Sequence, residues 1–245
     1  MTTRTLGLIG SGMIGGALAR LAVAAGLDVV LSNSRDPLTL SELAEELGDR
    51  ARAATPAEAA QAGDLVVAAI PLNAYALLPA AVLEGKTVID TMNYYPDPGG
   101  HIAALDTGEL TSSELVQRHL AGSLVVKAFS NIDFRRLFTL ARPAGAPDRS
   151  AVPIAGDDEA AKAQAGQLID AIGYDAVDIG TLADSWRIEP GAPVYVQPYF
   201  PAQPPGDLSQ DDTYRWYLET PGVPVSASRV KELASLAARP AWASK

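Results

Sequence analysis

The sequence has no cysteine, which excludes disulfide frameworks, thiolate metal sites and thiol nucleophiles together. It has two histidines, His101 and His119, and no cluster of histidines and acids at metal-ligand spacing. No apolar run approaches the roughly 20 residues that cross a bilayer, so no membrane partner is expected. Basic residues are outnumbered, 19 Lys and Arg against 29 Asp and Glu, for a formal net charge of −10. Nucleic acid phosphates demand a basic face, so that balance argues against nucleic acid. An anionic ligand must instead be met locally, by helix N-termini and a few placed arginines. What remains is a chain of 245 residues that is 48% hydrophobic, enough for one full-sized domain with an appendage or two small domains. A strand is expected from residue 5, with no signal or transit segment ahead of it. A cytoplasmic protein is the expectation.

The chain is organised around its first glycine-rich stretch. A short apolar run leads into Gly10-Ser11-Gly12-Met13-Ile14-Gly15, and an alanine-rich amphipathic segment follows. This reads as a buried strand, a tight turn and a helix whose first backbone N–H groups lack partners and carry the positive end of the helix dipole. Such a start binds anions. Gly10 permits the turn, Gly12 allows a pyrophosphate to approach the backbone, and Gly15 lets the helix lie close on the strand. The site residues expected here are Gly10, Ser11, Gly12, Met13 and Ile14, holding a dinucleotide.

Strand and helix signals then alternate. The first helix is expected over 14–25 with Gly26 as its stop, a second strand over 28–31, a helix over 37–47, and a weak strand over 51–54. Thr55 to Glu58 and Thr111 to Glu114 are capping boxes. The continuous apolar run 64–70, closed by Pro71, has the pattern of a central parallel strand. A helix over 74–81, a strand over 86–90, a loop over 94–100, a sixth strand over 124–129, a loop over 141–150 and a further strand, helix and strand to residue 179 complete the pattern. This predicts an α/β fold, a doubly wound parallel sheet of the Rossmann type, over 1–181. Residues 182–245 form a small appendage rich in proline and aromatics, including Trp186, Tyr195, Tyr199, Phe200, Trp216, Tyr217 and Trp242. Only 226–238 looks helical there. The appendage either packs on its own sheet or a second subunit, or it covers the substrate site.

The end of the second strand discriminates between dinucleotides. An acid there binds the ribose hydroxyls of NAD and repels a 2′-phosphate. Here the strand runs into Ser32, Asn33, Ser34 and Arg35, a set that suits a 2′-phosphate. Asp36, ahead of Pro37, falls outside the strand. NADP(H) is therefore the expected cofactor, with Asn33, Ser34 and Arg35 among its ligands. Ile70 and Pro71 at the end of the fourth strand, and Asn93 after the fifth, lie at the same carboxyl edge and are expected to border the cofactor.

Taken together, Gly7 to Gly15, Ser34-Arg35, Ala69-Ile70-Pro71, Asp90-Thr91-Met92-Asn93 and Lys127-Ala128-Phe129-Ser130-Asn131 resemble the NADPH-dependent reductases of the deazaflavin coenzyme F420. The cytosolic domain of six-transmembrane ferric reductases is similar. The resemblance spans residues 6–181. It implies NADP(H) at the glycine turn, hydride passed from nicotinamide C4 to a planar acceptor, Ala128 and Asn131 near the nicotinamide, and a homodimer. Ser130 stands where the family commonly has Asn, and the appendage does not look like the family's short helical ending.

Hydride transfer between two bound rings needs proximity, orientation and a dry pocket more than a strong acid, which suits a chain with two histidines. Tyr94 and Asn131 are the candidate catalytic side chains, with Tyr95 a further ring or acid at the same edge. Lys127 reads as a ligand for a phosphate or carbonyl or as a snorkelling residue, and Arg135 and Arg136 as a solvated helix face or a contact for an anionic acceptor. The acceptor is read as coenzyme F420, a small molecule; a small carbonyl, imine or quinone-like substrate is the alternative. A redox-sensing NADP-binding module without turnover is the non-enzyme reading. A tail that completes a pocket favours the enzyme, and one that seals it favours the sensor.

Overall fold

The computed structural model describes residues 5–239; Trp242 lies outside them. Eight strands form one continuous sheet: β1 (Thr5–Ile9), β2 (Asp28–Ser32), β3 (Ala51–Ala53), β4 (Leu65–Ala68), β5 (Thr87–Asp90), β6 (Leu124–Lys127), β7 (Ala151–Gly156) and β8 (Asp175–Asp178). Their order is β3-β2-β1-β4-β5-β6-β7-β8. The chain winds one way from β1 through β2 to β3, then crosses back to place β4 on the other side of β1. That reversal is the switch point at which open α/β sheets bind ligands.

The register lines up the carboxyl ends. Ile9 pairs with Ser32 on one side and Ala68 on the other, Ala68 pairs with Asp90, and Asp90 pairs with Lys127. Loops starting at Gly10, Asn33, Ala69, Thr91 and Ala128 therefore emerge side by side along one edge.

Helices cover the two faces: α1 (Met13–Ala24), α2 (Ser41–Leu47), α3 (Pro56–Ala62), α4 (Ala80–Leu83), the single broken turn α5 (Pro96–Gly99), α6 (Ala103–Asp106), α7 (Ser112–His119), α8 (Phe134–Thr139) and α9 (Glu159–Ala171). Both capping boxes form as expected, Thr55 with Glu58 and Thr111 with Glu114. Alanines 17, 19 and 22 of α1 are buried, and their small volume lets the helix pack close on the strands.

The structure differs from the sequence expectations at several places. β6 and β7 pair antiparallel, because a strand's own residues do not encode its direction; the connection through α8 sets it. The helix expected over 74–81 is a 3-10 segment, Leu72–Leu77, and the separate turn α4. Pro79 forces the break by holding Leu78 extended. The sixth strand stops at Lys127, since Phe129 takes a positive φ of 57° that no strand accommodates.

Beyond β8 the chain adds α10 (Gln210–Glu219) and α11 (Ala227–Ser235). The expectation of a single helix in this region is corrected: Ser209 caps α10 by accepting from the Asp212 N–H. Val194, Tyr199, Val225, Val230 and Leu233 lie in the same buried cluster as Leu6 and Leu8 of β1. The appendage therefore packs on its own sheet and shares its core. Trp216 stacks on Phe200 at 5.5 Å between ring centroids, and the Arg136 guanidinium lies 4.0 Å from the centroid of the same Phe200 ring. Arg136 is 1% exposed, donates to the Thr220 carbonyl and pairs with Asp133 at 3.2 Å. It is no solvated helix face.

Candidate active site

The turn between β1 and α1 begins at Gly10, whose φ of 100° and contact with Ala69 leave no room for a side chain: a Cβ would lie 2.2 Å from the Ala69 carbonyl oxygen. At Gly15 a Cβ would meet the Gly10 carbonyl oxygen at 1.9 Å. Gly12 is different. A Cβ there would meet nothing within 4 Å, so its backbone faces open space. No side chain caps α1, and its first turn holds no acid. The free N–H groups and the helix dipole are thus left available to an anion. Ser11 donates to the Ser32 carbonyl at 3.0 Å, tying the turn to the end of β2.

Ser32 closes β2 with its hydroxyl donated to the Leu8 carbonyl. Asn33 then builds the loop: its amide oxygen accepts the Arg35 N–H at 2.8 Å and its amide nitrogen donates to Thr39 at 3.0 Å. This Asx-turn leaves Ser34 and Arg35 exposed. The Arg35 guanidinium is in no ion pair among the described residues. Asp36 lies four residues beyond the strand, where its carboxylate caps the next 3-10 turn by accepting from the Leu38 N–H. It is therefore not a ribose-binding acid at the strand end.

Between the ends of β1, β4 and β5 lies a cleft of about 580 Å³. Met13, Ile14, Ile70, Pro71, Asn93 and Tyr94 line it. Sequence reading did not single out Asn73, Thr91 or Ile102, which also line it. Asn93 donates its amide to the Ser130 carbonyl at 2.8 Å, while its amide oxygen is buried without a partner. A buried orphan acceptor is costly unless a ligand or water meets it.

The floor of the cleft is a buried polar network. Asp90 accepts the Met92 N–H at 2.8 Å, and Lys127 donates to the Met92 carbonyl, to Asp90 at 3.3 Å and to Ser112 at 2.9 Å. Both Lys127 and Asp90 are wholly buried. Lys127 is thus neither a ligand side chain nor a snorkelling one; with Asp90 it grips both backbone groups of Met92 and fixes the loop that lines the cleft. Ser112 passes the network on to Glu189 of the appendage at 2.6 Å.

Tyr94 is buried, and its hydroxyl donates to Asp106 at 2.6 Å and accepts the Ile102 N–H at 2.9 Å. Burial, and then the bond to Asp106, push its pKa up, while the Tyr94 hydroxyl, ahead of His101, holds Asp106 below the usual carboxylate range. The ring of Tyr94 faces the cleft, but its hydroxyl is committed elsewhere. Ala128 is wholly buried and has no surface at the cleft. Asn131 is also buried, and its amide donates to the Val194 carbonyl at 3.2 Å and to the Tyr199 hydroxyl at 3.1 Å. Its connections run to the appendage. His101 meets Asp106 at 3.0 Å and His119 the Leu78 carbonyl at 3.0 Å; neither lines the cleft. Among the described residues no group of acids and histidines is placed to hold a metal ion, and no helix is long and apolar enough to cross a membrane.

The appendage reaches the rim of the cleft through Tyr195, whose hydroxyl meets that of Tyr95. It leaves the cleft open.

Residues 5–94 match the sequence family described as NADP oxidoreductase, coenzyme F420-dependent. Among solved structures, the chain is similar to a hypothetical protein from Sinorhizobium meliloti, with 31% identity, a TM-score of 0.69, and 80% of this chain and 93% of that one covered. It is similar also to a provisionally assigned F420-dependent NADP-reductase from Arthrobacter sp. FB24, at 23% identity, a TM-score of 0.64, and 75% and 87% coverage. A reductive aminase from Aspergillus terreus in complex with NADPH and ethyl levulinate shares the fold at 18% identity and a TM-score of 0.52, with 75% of this chain and 56% of that one aligned. No curated protein matches the chain in sequence.

Proposed function

We propose that this chain, whose residues 5–94 match the coenzyme F420-dependent NADP oxidoreductase family, passes a hydride between NADP(H) and a planar acceptor, and that the acceptor is the deazaflavin coenzyme F420. The observation that carries this reading is the conjunction at one sheet edge of an uncapped helix start, open space at Gly12 and an unpaired guanidinium at Arg35.

The residues present fit the dinucleotide. The N–H groups at the start of α1 hold the pyrophosphate, and Ser34 and Arg35 hold the 2′-phosphate by charge-assisted hydrogen bonds. Asn93, with its amide oxygen otherwise unpartnered, accepts a hydrogen bond from a ribose hydroxyl or the carboxamide. Ile70, Met92 and the ring of Tyr94 line the cleft with apolar surface and keep water from the reacting face. When bound, the nicotinamide supplies the hydride from C4. The chain's own part is to hold the two rings in contact, which is the larger share of what such a transfer needs. No side-chain acid is required where the acceptor's ring takes up the charge. A homodimer in the cytoplasm completes the reading.

Steady-state oxidation of NADPH against a panel of acceptors tests it. The panel comprises coenzyme F420, menadione, a cyclic imine and a small ketone. The expected result is the highest kcat/KM with F420. Faster turnover of the imine or ketone overturns the acceptor, and tight NADPH binding without turnover of any of them overturns the enzyme in favour of the sensor.

A further inference from the structure

The appendage presents one side chain to the cleft in an unusual way. Tyr195 sits just before Val196, a β-branched residue with φ 53° and ψ −56°. The Gln197 N–H donates back to the Tyr195 carbonyl at 2.6 Å, closing a γ-turn of the strained kind that non-glycine residues rarely adopt. The turn is held from below. The Val196 N–H donates to the Asn131 carbonyl at 2.8 Å, the Asn131 amide donates to the Val194 carbonyl, and Tyr199 anchors to the Ala151 carbonyl at 2.8 Å. The result is a phenol delivered to the hydroxyl of Tyr95, which is 47% exposed and lines the cleft.

Two phenols in contact carry two hydroxyl protons, and only one lies between them. The other has no acceptor among the described residues. Burial, and then the Tyr95 hydroxyl, push the Tyr195 phenol up, so it stays protonated and a donor.

We propose that the Tyr95–Tyr195 hydroxyl pair is the acceptor-specificity element of this protein: it offers one hydrogen-bond donor at the rim of the cleft to a ring-borne carbonyl oxygen of a planar acceptor. Tyr95 makes the contact and Tyr195 is a positioning residue that acts through it. The inference rests on the hydride-transfer reading and deepens it, assigning to the divergent appendage a part in choosing the acceptor. A ring carbonyl polarised in this way is bound more tightly, whereas an acceptor with no ring oxygen gains nothing from the pair.

The test is binding of oxidised coenzyme F420 to the protein preloaded with NADP⁺, followed by the deazaflavin's fluorescence, with the KM for F420 and for a cyclic imine measured alongside. Tyr95→Phe and Tyr195→Phe are each expected to weaken F420 binding and raise its KM by about tenfold, the ratio set by one hydrogen bond. The double variant is expected to be no worse than Tyr95→Phe, and the KM for the imine and the affinity for NADP⁺ to stay unchanged. Unchanged F420 affinity in Tyr195→Phe overturns the proposal while leaving hydride transfer standing. So does an equal rise in KM for F420 and imine, which marks a structural role only. Failure of the unmodified protein to bind F420 overturns both.

Discussion

Gly12 and Gly15 lie three residues apart in one turn and lack side chains for opposite reasons. At Gly15 an added methyl runs into the protein's own backbone; at Gly12 it runs into empty space. Gly15→Ala is therefore expected to destabilise the fold by about 3 kcal/mol or more, as overpacking against backbone does. Gly12→Ala is expected to cost about 1 kcal/mol, the difference in N-cap preference. Its larger effect is expected on the cofactor, whose pyrophosphate is proposed to occupy that space. Thermal unfolding with and without NADP⁺ separates the two: Gly12→Ala keeps most of its Tm but loses the ligand-induced rise, and Gly15→Ala loses Tm in both conditions. A Gly12→Ala protein that still gains the full ligand-induced rise contradicts the placement of the pyrophosphate. The turn itself was legible in the sequence, because glycine spacing reflects local sterics. Which charged side chains are buried was not. Lys127 and Arg136 have ordinary neighbours in sequence, and their partners, Asp90 and the Thr220 carbonyl, are brought to them only by the sheet and the appendage.

At the scale of elements, the cleft depends on how rigidly the loop after β5 is held. Asp90 and Lys127 occupy paired positions on β5 and β6, so the sheet register itself brings the charges together. Breaking a buried pair by removing one partner costs about 3–5 kcal/mol, because the other is left buried and uncompensated. Lys127→Met is expected to lose that much in denaturant unfolding, and a loss under about 1 kcal/mol would show that the pair is not what fixes the loop. Strands and capped helices were readable from apolar runs and capping boxes, which are local signals. The antiparallel turn of β7 and the break at Pro79 were less so. The first depends on a connection's path. The second is a local proline rule outweighed on paper by the alanine-rich run around it. Asp133 and Ser209 carry cap signals for α8 and α10 that the surrounding prolines and aromatics obscured.

At the scale of the whole molecule, the sheet collects loops from β1, β2, β4 and β5 at one edge, and the appendage packs into the shared core and extends Tyr195 to that edge. The dinucleotide motifs of the matched family lie within residues 5–94, and the appendage meets the cleft through Tyr195, at the rim proposed for the acceptor. A net charge of −10 makes the whole surface unfavourable to a dinucleotide carrying an extra phosphate, so recognition falls on local groups. In the proposed reading the helix start holds the pyrophosphate, and Arg35 distinguishes NADPH from NADH by charge. The ratio of kcat/KM for NADPH over NADH, measured in the unmodified protein and in Arg35→Asp, tests this most directly. The account predicts that the substitution lowers kcat/KM for NADPH by roughly 10- to 100-fold, the worth of a charge-assisted pair, and leaves NADH nearly unchanged. Equal losses with both nucleotides would contradict it.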